Sequence, residues 1–424
     1  MKIETIKNDR LNNTIRCFTH KSGLRVKMCA LEDFKSTYAI ISTKYGSADN
    51  CFKTADDAEF TKVPDGIAHF LEHKLFQNED DVNAFDLFSK TGANANAYTS
   101  FDKTAYLFSC TSRFRENLEI LLGFVTKPYF TEESVQKELG IIGQEIQMYN
   151  DDPDWNVYFN ALDCMYVNNP VKVDIAGTEE SIAKITPELL YRCYNAFYDL
   201  RNMVLAVVGN FDEKEVIEVC DAILQEKPPL NVQKAAVFEP KNINHSYKQQ
   251  ELDVSMPHFQ LGFKLDDRGE QNNEFDSVLC EILLDVIAGE SSPLYRKLYD
   301  SGLINDVFGS ETFAGRDYLA YIFGGESNDP KKVRELILQE IERIRSEGIN
   351  EKLFTACKKA LYGRYVRIFD KPSALAAFIV SCDFAGVKIY DIIDRVASAT
   401  VKDLMDIIDR TDANNMVLSV VNPY

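Results

Sequence analysis

Hydrophobic residues recur along the chain at two spacings, and each spacing predicts one type of element. Alternating or continuous apolar runs predict strands at 14–30, 36–45 and 201–210, because successive side chains of a strand point to opposite faces. Longer stretches with apolar residues every three or four positions predict helices, such as 131–149. Strands and helices in this irregular order predict an α+β fold, with a mostly antiparallel sheet and helices packed on one face.

A repeated pattern predicts that the chain consists of two similarly folded halves. The run 201–210 (RNMVLAVVGN) is matched 213 residues later by 414–423 (NNMVLSVVNP). Just upstream, 186–190 (TPELL) is matched by 400–404 (TVKDL) at an offset of 214. Two matches in the same order at nearly one offset indicate homologous halves, and the period is too long for a solenoid repeat.

The sequence between the two halves has the composition of a linker. Residues 227–246 contain Lys227-Pro228-Pro229, Glu239-Pro240 and several asparagines, which favour turns over periodic elements. A chain of 424 residues is also long for a single core. We therefore predict an N-terminal domain at 1–226, a linker at 227–246 and a homologous C-terminal domain at 247–424.

The pentapeptide His69-Phe70-Leu71-Glu72-His73 carries the strongest chemical signal. The chain has five histidines, and two of them lie four residues apart beside a carboxylate. On a helix these side chains share one face, so both imidazoles can bind one metal ion while Glu72 acts on a water molecule beside it. The spacing is the inverted form of the zinc-protease pattern H-E-x-x-H. An amphipathic helix with two surface or capping histidines is the alternative.

A zinc site of this type needs a third protein ligand, and the helix predicted at 131–149 offers one. Glu138 and Glu145 are seven residues apart, so they lie on one side of the helix, two turns from each other. One carboxylate can bind the metal while the other orients a ligand. A solvated acidic face is the alternative, and the apolar residues next to both positions weaken it.

Residues 94–98 and 104–110 predict a β-hairpin. The first run alternates polar and small residues, the second alternates with aromatic residues, and a polar turn separates them. If the hairpin edge faces the metal motif, a bound peptide can join it as an extra strand. An ordinary hairpin without a binding role is the alternative.

Together these motifs resemble the pitrilysin/insulinase family of zinc metallopeptidases, the inverzincins, over most of the chain. The resemblance rests on the metal motif in its context, the glutamate pair and three further segments: 66–76, Glu138 and Glu145, 92–106, 176–182 and 198–203. It implies one Zn²⁺ per chain and two halves that face each other around a chamber.

The resemblance also implies roles for individual residues. His69, His73 and Glu145 correspond to the zinc ligands, and Glu145 follows His73 by 72 positions. Glu72 corresponds to the general base, and Glu138 to a glutamate that supports the catalytic site.

The family's edge strand near the zinc contacts substrate, and its residues here are Asn96, Ala97 and Tyr98. The resemblance therefore implies that the chain binds peptides along 94–98. The activity it implies is zinc-dependent endopeptidase cleavage of unstructured peptides or small protein segments.

The C-terminal half departs from the family pattern. The position that matches the metal motif, 281–285, reads Glu-Ile-Leu-Leu-Asp without a histidine. In active members this half carries an arginine and a tyrosine that help to bind substrate, but the arginine position falls on Tyr299, and Arg296 lies three residues too early. We therefore expect the zinc-bearing subunit of a heterodimer whose related partner supplies that pair, or a homodimer. A non-catalytic structural subunit and a peptide-binding module are the alternatives.

Charge and composition limit the classes of partner and the cellular location that we expect. A net charge of −19 argues against nucleic-acid binding, which needs a basic surface. No apolar run approaches the length of a membrane span, and the N-terminus lacks the apolar core of a signal peptide. Ten cysteines are scattered without a Cys-x-x-Cys pair, which is typical of reduced thiols. These features predict a cytoplasmic protein.

Overall fold

The computed structural model describes residues 2–79 and 82–424, and the chain folds into two compact units. Unit 1 contains the chain up to Ile146 together with Asp174–Ala236 and Val366–Phe384. Unit 2 contains Gln147–Val173, Val237–Tyr365 and Ala385–Tyr424. Each unit thus includes a segment from the other half of the chain. The domain boundaries predicted above refer to homologous stretches of sequence, and they stay a prediction.

Unit 1 is built on a seven-stranded sheet. Its described strands are β1 (Glu4–Asn8), β2 (Asn13–Thr19), β3 (Arg25–Ala30), β4 (Thr37–Thr43), β5 (Cys51–Lys53), β6 (Thr61–Lys62), β7 (Asn94–Thr99), β8 (Thr104–Cys110), β9 (Met203–Gly209) and β10 (Gln233–Lys234). The large sheet has the order β1-β2-β3-β9-β4-β8-β7, and β10, β5 and β6 form a small second sheet. All neighbours in the large sheet are antiparallel except β3 and β9. All seven residues of the central strand β9 are buried, and β7 lies at the edge.

Unit 2 contains a five-stranded sheet in the order β11-β15-β12-β14-β13. Its strands are β11 (Tyr247–Leu252), β12 (His258–Lys264), β13 (Gly309–Gly315), β14 (Tyr318–Glu326) and β15 (Met416–Pro423). The pair β11 and β15 is parallel and the other pairs are antiparallel.

Helices account for much of the remaining chain. They are α1 (Ile67–Leu75), α2 (Ala84–Thr91), α3 (Phe114–Val125), α4 (Glu132–Asn150), α5 (Pro153–Met165), α6 (Glu179–Ile182), α7 (Pro187–Phe197), α8 (Glu213–Ile223), α9 (Glu270–Ala288), α10 (Pro293–Asp300), α11 (Pro330–Glu347), α12 (Glu351–Ile368), α13 (Pro372–Ala385), α14 (Ile389–Ser398) and α15 (Val401–Arg410). Within residues 2–79 and 82–424, none of them combines the length and the apolar character that crossing a lipid bilayer requires.

The predicted α+β class and the mostly antiparallel sheets are confirmed. The repeated runs form β9 and β15, the predicted hairpin is β7–β8, and the helix predicted at 131–149 is α4. The single strand predicted at 14–30 is wrong, because β2 and β3 are separated by a turn. Gly23 in that turn has a φ of +94°, which glycine adopts without the penalty that a Cβ brings.

The sheet of unit 1 carries helices on both faces, although one face was expected. Glu213 of α8 pairs with Arg16 at 2.7 Å, and Arg16 lies opposite Met28 in the sheet. Asp383 of α13 pairs with Lys27 at 2.8 Å. Since Lys27 and Met28 are adjacent in β3, their side chains point to opposite faces. Helices α8 and α13 therefore cover different faces.

Unit 2 repeats this arrangement. A Cβ at Gly262 would lie 2.9 Å from Sδ of Met165 in α5. Ser277 of α9 instead bonds Thr312 at 2.9 Å, and Thr312 lies in the same cross-strand row as Phe263. Adjacent residues of β12 thus point to opposite faces of the sheet, one covered by α5 and the other by α9. Because α5 belongs to the N-terminal half of the sequence and α13 to the C-terminal half, the two halves exchange a helix.

Candidate metal centre

Helix α1 carries the metal motif and begins directly after a glycine. Gly66 has a φ of +89°, and a Cβ there would lie 2.4 Å from the carbonyl oxygen of Ala176, so glycine alone fits. Nearly all of α1 is buried. Among its buried residues are the polar side chains of His69, Glu72 and Lys74, which are 9%, 7% and 0% exposed. Charged residues are rarely buried this far without partners.

His69, His73 and Glu145 converge at one point. The Nε2 atom of His69 lies 3.7 Å from Oε1 of Glu145, and Nε2 of His73 lies 3.5 Å from Oε2. One donor atom from each residue lies within 4.8 Å of the others. Two imidazoles and a carboxylate form the ligand set of a catalytic zinc site with an open fourth position. Helix α4 thus brings Glu145, and not Glu138, to the Nε2 atoms of the two histidines.

The orientation of the imidazoles fits a metal bound at Nε2. Oε1 of Glu138 lies 3.1 Å from Nδ1 of His73, so a hydrogen bond from Nδ1–H leaves the Nε2 lone pair directed at Glu145. Nδ1 of His69 is buried and has no hydrogen-bond partner in the part of the chain that the structure describes. Among the described residues, the His69 ring therefore makes its polar contact through Nε2, which faces Glu145. The donor set and its support therefore fit zinc.

Burial shifts the protonation equilibria of the motif. Burial, with the nearby His73, lowers the pKa of His69 to about 4, so this ring is neutral near physiological pH and can donate a lone pair. Burial also acts to lower the pKa of His73, but the hydrogen bond to Glu138 and the neighbouring carboxylates raise it above its usual value. Burial raises the pKa of Glu72 to about 7, against the opposing hydrogen bond from Thr99.

Glu72 is held beside the histidine pair by a residue that the sequence reasoning missed. Oγ1 of Thr99 donates a hydrogen bond to Oε2 of Glu72 at 2.7 Å. A carboxyl group with a pKa near neutrality is suited to general-base chemistry. Thr99 directly follows the run 94–98 that predicted a strand and ends the observed strand β7. Period-2 alternation alone did not show which side chain reaches α1.

The three predicted substrate-contact residues lie on β7, which packs beside α1. Asn96, Ala97 and Tyr98 follow one another just before Thr99. Within the described residues β7 pairs with β8 alone, so its other edge can accept a further strand. Asn96 is exposed, and its Oδ1 accepts a hydrogen bond from the backbone N–H of Ala97 at 2.9 Å.

In unit 2, the residues at the position of the metal motif form an ion pair and a hydrogen bond with neighbouring side chains. Glu281 and Asp285 lie on α9 in the spacing of His69 and His73. Tyr365 donates a hydrogen bond to Glu281 at 2.7 Å, and Arg364 pairs with Asp285 at 2.9 Å. Among the described residues, the histidine, cysteine and acidic groups that can hold a metal are those of unit 1.

The residues considered for the family's arginine position lie on α10. Tyr299 is 50% exposed, and its ring stacks on Tyr295 with the centroids 6.0 Å apart. Arg296 is exposed on the same helix. Both side chains thus lie exposed on one helix, one turn apart, and the departure at the arginine position stays a prediction from the sequence.

An α+β fold of two related halves, with an inverted histidine motif and a distant glutamate, is the combination expected for the family that the sequence resembles. Comparison with known proteins supports this resemblance. Residues 60–179 match the family model "Insulinase (Peptidase family M16)", and residues 184–361 match "Peptidase M16 inactive domain". The chain belongs to the M16, or pitrilysin/insulinase, family of peptidases.

Several relatives extend over the whole chain. An "uncharacterized zinc protease YmfH" of Bacillus subtilis is 37% identical over 96% of both chains. The crystal structure of a putative M16-like peptidase from Alicyclobacillus acidocaldarius has a TM-score of 0.93 at 33% identity, and covers 99% of this chain and 100% of that chain. A protease from Helicobacter pylori, at 19% identity, shares the fold with a TM-score of 0.84 over 96% of this chain and 99% of its own.

Proposed function

We propose that the chain is a zinc-dependent endopeptidase that hydrolyses unstructured peptides or small protein segments. One observation carries the proposal: His69, His73 and Glu145 converge with their donor atoms within 4.8 Å of one another. Glu72, the remaining member of the motif, lies in the same buried helix. These residues would hold one Zn²⁺ and supply a base beside it.

The reaction we infer is attack of water on a peptide carbonyl. Zinc, when bound, lowers the pKa of a water molecule and polarises the scissile carbonyl. Glu72 accepts the proton of the attacking water at its carboxylate and returns it to the leaving amine. Thr99 keeps this carboxylate in place through its hydrogen bond at 2.7 Å. Glu138 holds the ring of His73 and thereby the geometry of the site.

Substrate would bind along the open edge of β7. Main-chain hydrogen bonds to Asn96, Ala97 and Tyr98 would read an extended backbone rather than particular side chains. This mode favours unstructured segments, because a folded strand already has its hydrogen bonds satisfied. The net charge of −19 favours basic or neutral peptides through long-range attraction, and it disfavours nucleic acid.

We further propose that the chain is the zinc-bearing partner of a heterodimer. The family's arginine position holds Tyr299, so a related subunit would supply the arginine–tyrosine pair. A homodimer is the alternative assembly. A cytoplasmic location is part of the proposal, and it is supported by ten free cysteines, since disulfides are rare in that compartment.

A second candidate function is a non-catalytic structural or peptide-binding subunit of the same fold. Two observations favour it: residues 184–361 match a model described as inactive, and Tyr299 stands at the arginine position. Such a subunit would bind peptides along β7 without cutting them.

The experiment is a peptide digest analysed by mass spectrometry. A mixture of unstructured peptides is incubated with the purified chain, with and without a chelator and with and without a co-encoded related subunit. We expect chelator-sensitive cleavage that needs the second subunit, and about one zinc per chain by elemental analysis. Cleavage by the chain alone would overturn the split site but not the peptidase. Bound peptide with no cleavage in any arm would favour the second candidate.

A further inference from the structure

Lys74 is a buried residue of α1 that the proposed chemistry does not use. It directly follows His73, and its side chain is 0% exposed. Taking an ammonium group out of water is costly unless an anion compensates. The identity of that anion therefore indicates what the lysine does.

Glu138 provides the negative charge. Its Oε2 lies 3.9 Å from Nζ of Lys74, while its Oε1 lies 3.1 Å from Nδ1 of His73. Nζ also donates a hydrogen bond to the side chain of Gln77, three residues further along the chain. The side chain of Glu138 is 11% exposed. Its carboxylate thus has a hydrogen-bonding imidazole at one oxygen and an ammonium in ion-pair contact with the other.

These two contacts matter because the last torsion of a glutamate is soft. A carboxylate with a partner at only one oxygen can rotate about that torsion. A rotated Glu138 would no longer accept the Nδ1–H bond of His73, and the Nε2 lone pair would lose its direction toward Glu145. Partners of this kind orient metal ligands and affect metal affinity.

We propose that Lys74 is a positioning residue of the metal centre, acting through Glu138 on the ring of His73. The inference rests on the proposed zinc site. The competing view is that Lys74 only fills space beside α4, in which case an unbranched apolar side chain of similar length serves equally well.

The experiment is a double-mutant cycle on zinc affinity in the full chain. The variants are Lys74→Met, Glu138→Gln and the pair together, and zinc dissociation constants come from competition with a chromogenic chelator. Lys74→Met is expected to raise the dissociation constant roughly tenfold, at the lower end of the 10–100-fold effect of such partners. With Gln at 138 the same change is expected to have less than about a twofold effect, because the group through which it acts is gone.

Two further variants make the result decisive. Lys137→Met removes the exposed lysine next to Glu138 and is expected to leave zinc affinity unchanged. Lys74→Gln keeps a polar group and replaces Lys74→Met if that variant fails to fold, as judged by circular dichroism. Equal factors in both Glu138 backgrounds, or no change in affinity, would overturn the role of Lys74 while the zinc site stands. A wild-type chain that binds no zinc would overturn the proposed function, and this inference with it.

Discussion

A buried carboxylate of α13 forms ion pairs with the sheet of unit 1. Asp383 is 8% exposed in its side chain, and it bonds Nε of Arg25 at 2.7 Å and Nζ of Lys27 at 2.8 Å. The change Asp383→Asn keeps the shape of the side chain and removes its charge. Both cations would then remain next to a neutral amide.

The expected cost follows from how exposed the partners are. Breaking a fully buried pair costs about 3–5 kcal/mol, and an exposed pair contributes about 0–1 kcal/mol. The side chains of Arg25 and Lys27 are 34% and 23% exposed, so water solvates them in part. We therefore expect Asp383→Asn to lower the free energy of unfolding by about 2 kcal/mol. For a unit of this size that corresponds to a fall in Tm of roughly 4–8 °C.

The assay is calorimetric unfolding of the full chain, with Asp266→Asn as a matched control. Asp266 pairs with Lys241 at 2.7 Å, and the two side chains are 45% and 76% exposed. Its loss is expected to change the free energy of unfolding by less than about 1 kcal/mol. If Asp383→Asn destabilises no more than Asp266→Asn does, the argument that this ion pair anchors α13 is wrong.

Three further predictions concern the site and the division of the chain. Glu72→Gln is expected to retain zinc and to lower kcat about 10²–10⁴-fold, the contribution of a general base; zinc content and peptide turnover by the competent assembly check this, and near-normal turnover would contradict it. Glu145→Gln and His73→Ala are expected to contain no zinc by elemental analysis. In the wild-type chain, zinc at 100 times its dissociation constant is expected to raise the free energy of unfolding by about 2.7 kcal/mol relative to chelator-treated protein. A fragment 1–226 lacks Val366–Phe384 and is expected to unfold without cooperativity and to bind a hydrophobic dye, whereas cooperative unfolding would show that α13 is dispensable.

Much of the candidate site could be predicted from the sequence, because its spacing is set by the geometry of two helices. His69 and His73 share a face of any helix that contains them, and Glu138 and Glu145 share a face of α4. Which glutamate meets the histidines was not determined by that geometry. The position of α4 along its own axis relative to α1 decides it, and the periodicity within one helix does not report that position.

The supporting contacts were harder to predict. Thr99 reaches Glu72 only because β7 ends beside α1, and Lys74 comes near Glu138 only because the fold brings residues of α1 and α4 together. Each contact joins elements distant in sequence. The available signal was the position of Lys74 on the predicted helix, seven residues after Ile67 and three after Leu71, on the face that carries the apolar residues.

The helix exchange could not be predicted at all. The segment 372–385 is apolar on nearly every side, which indicates a helix buried all round. That pattern does not say which sheet covers it. A helix followed by elements of its own half would be expected to pack within that half, since sequential elements are usually neighbours. In the structure α13 belongs to unit 1 instead.

This exchange explains what a half without metal ligands contributes to the proposed chemistry. Ser381 of α13 accepts a hydrogen bond from Lys103, which lies in the turn between β7 and β8, at 2.8 Å. Lys44, just after β4, donates a hydrogen bond to the backbone oxygen of Phe384 at 2.5 Å. The C-terminal half thus supports the hairpin whose edge we propose as the substrate strand, and Thr99 of that hairpin holds Glu72. The C-terminal half therefore supports unit 1 without metal ligands of its own, because this support comes from α13 and not from residues 281–285.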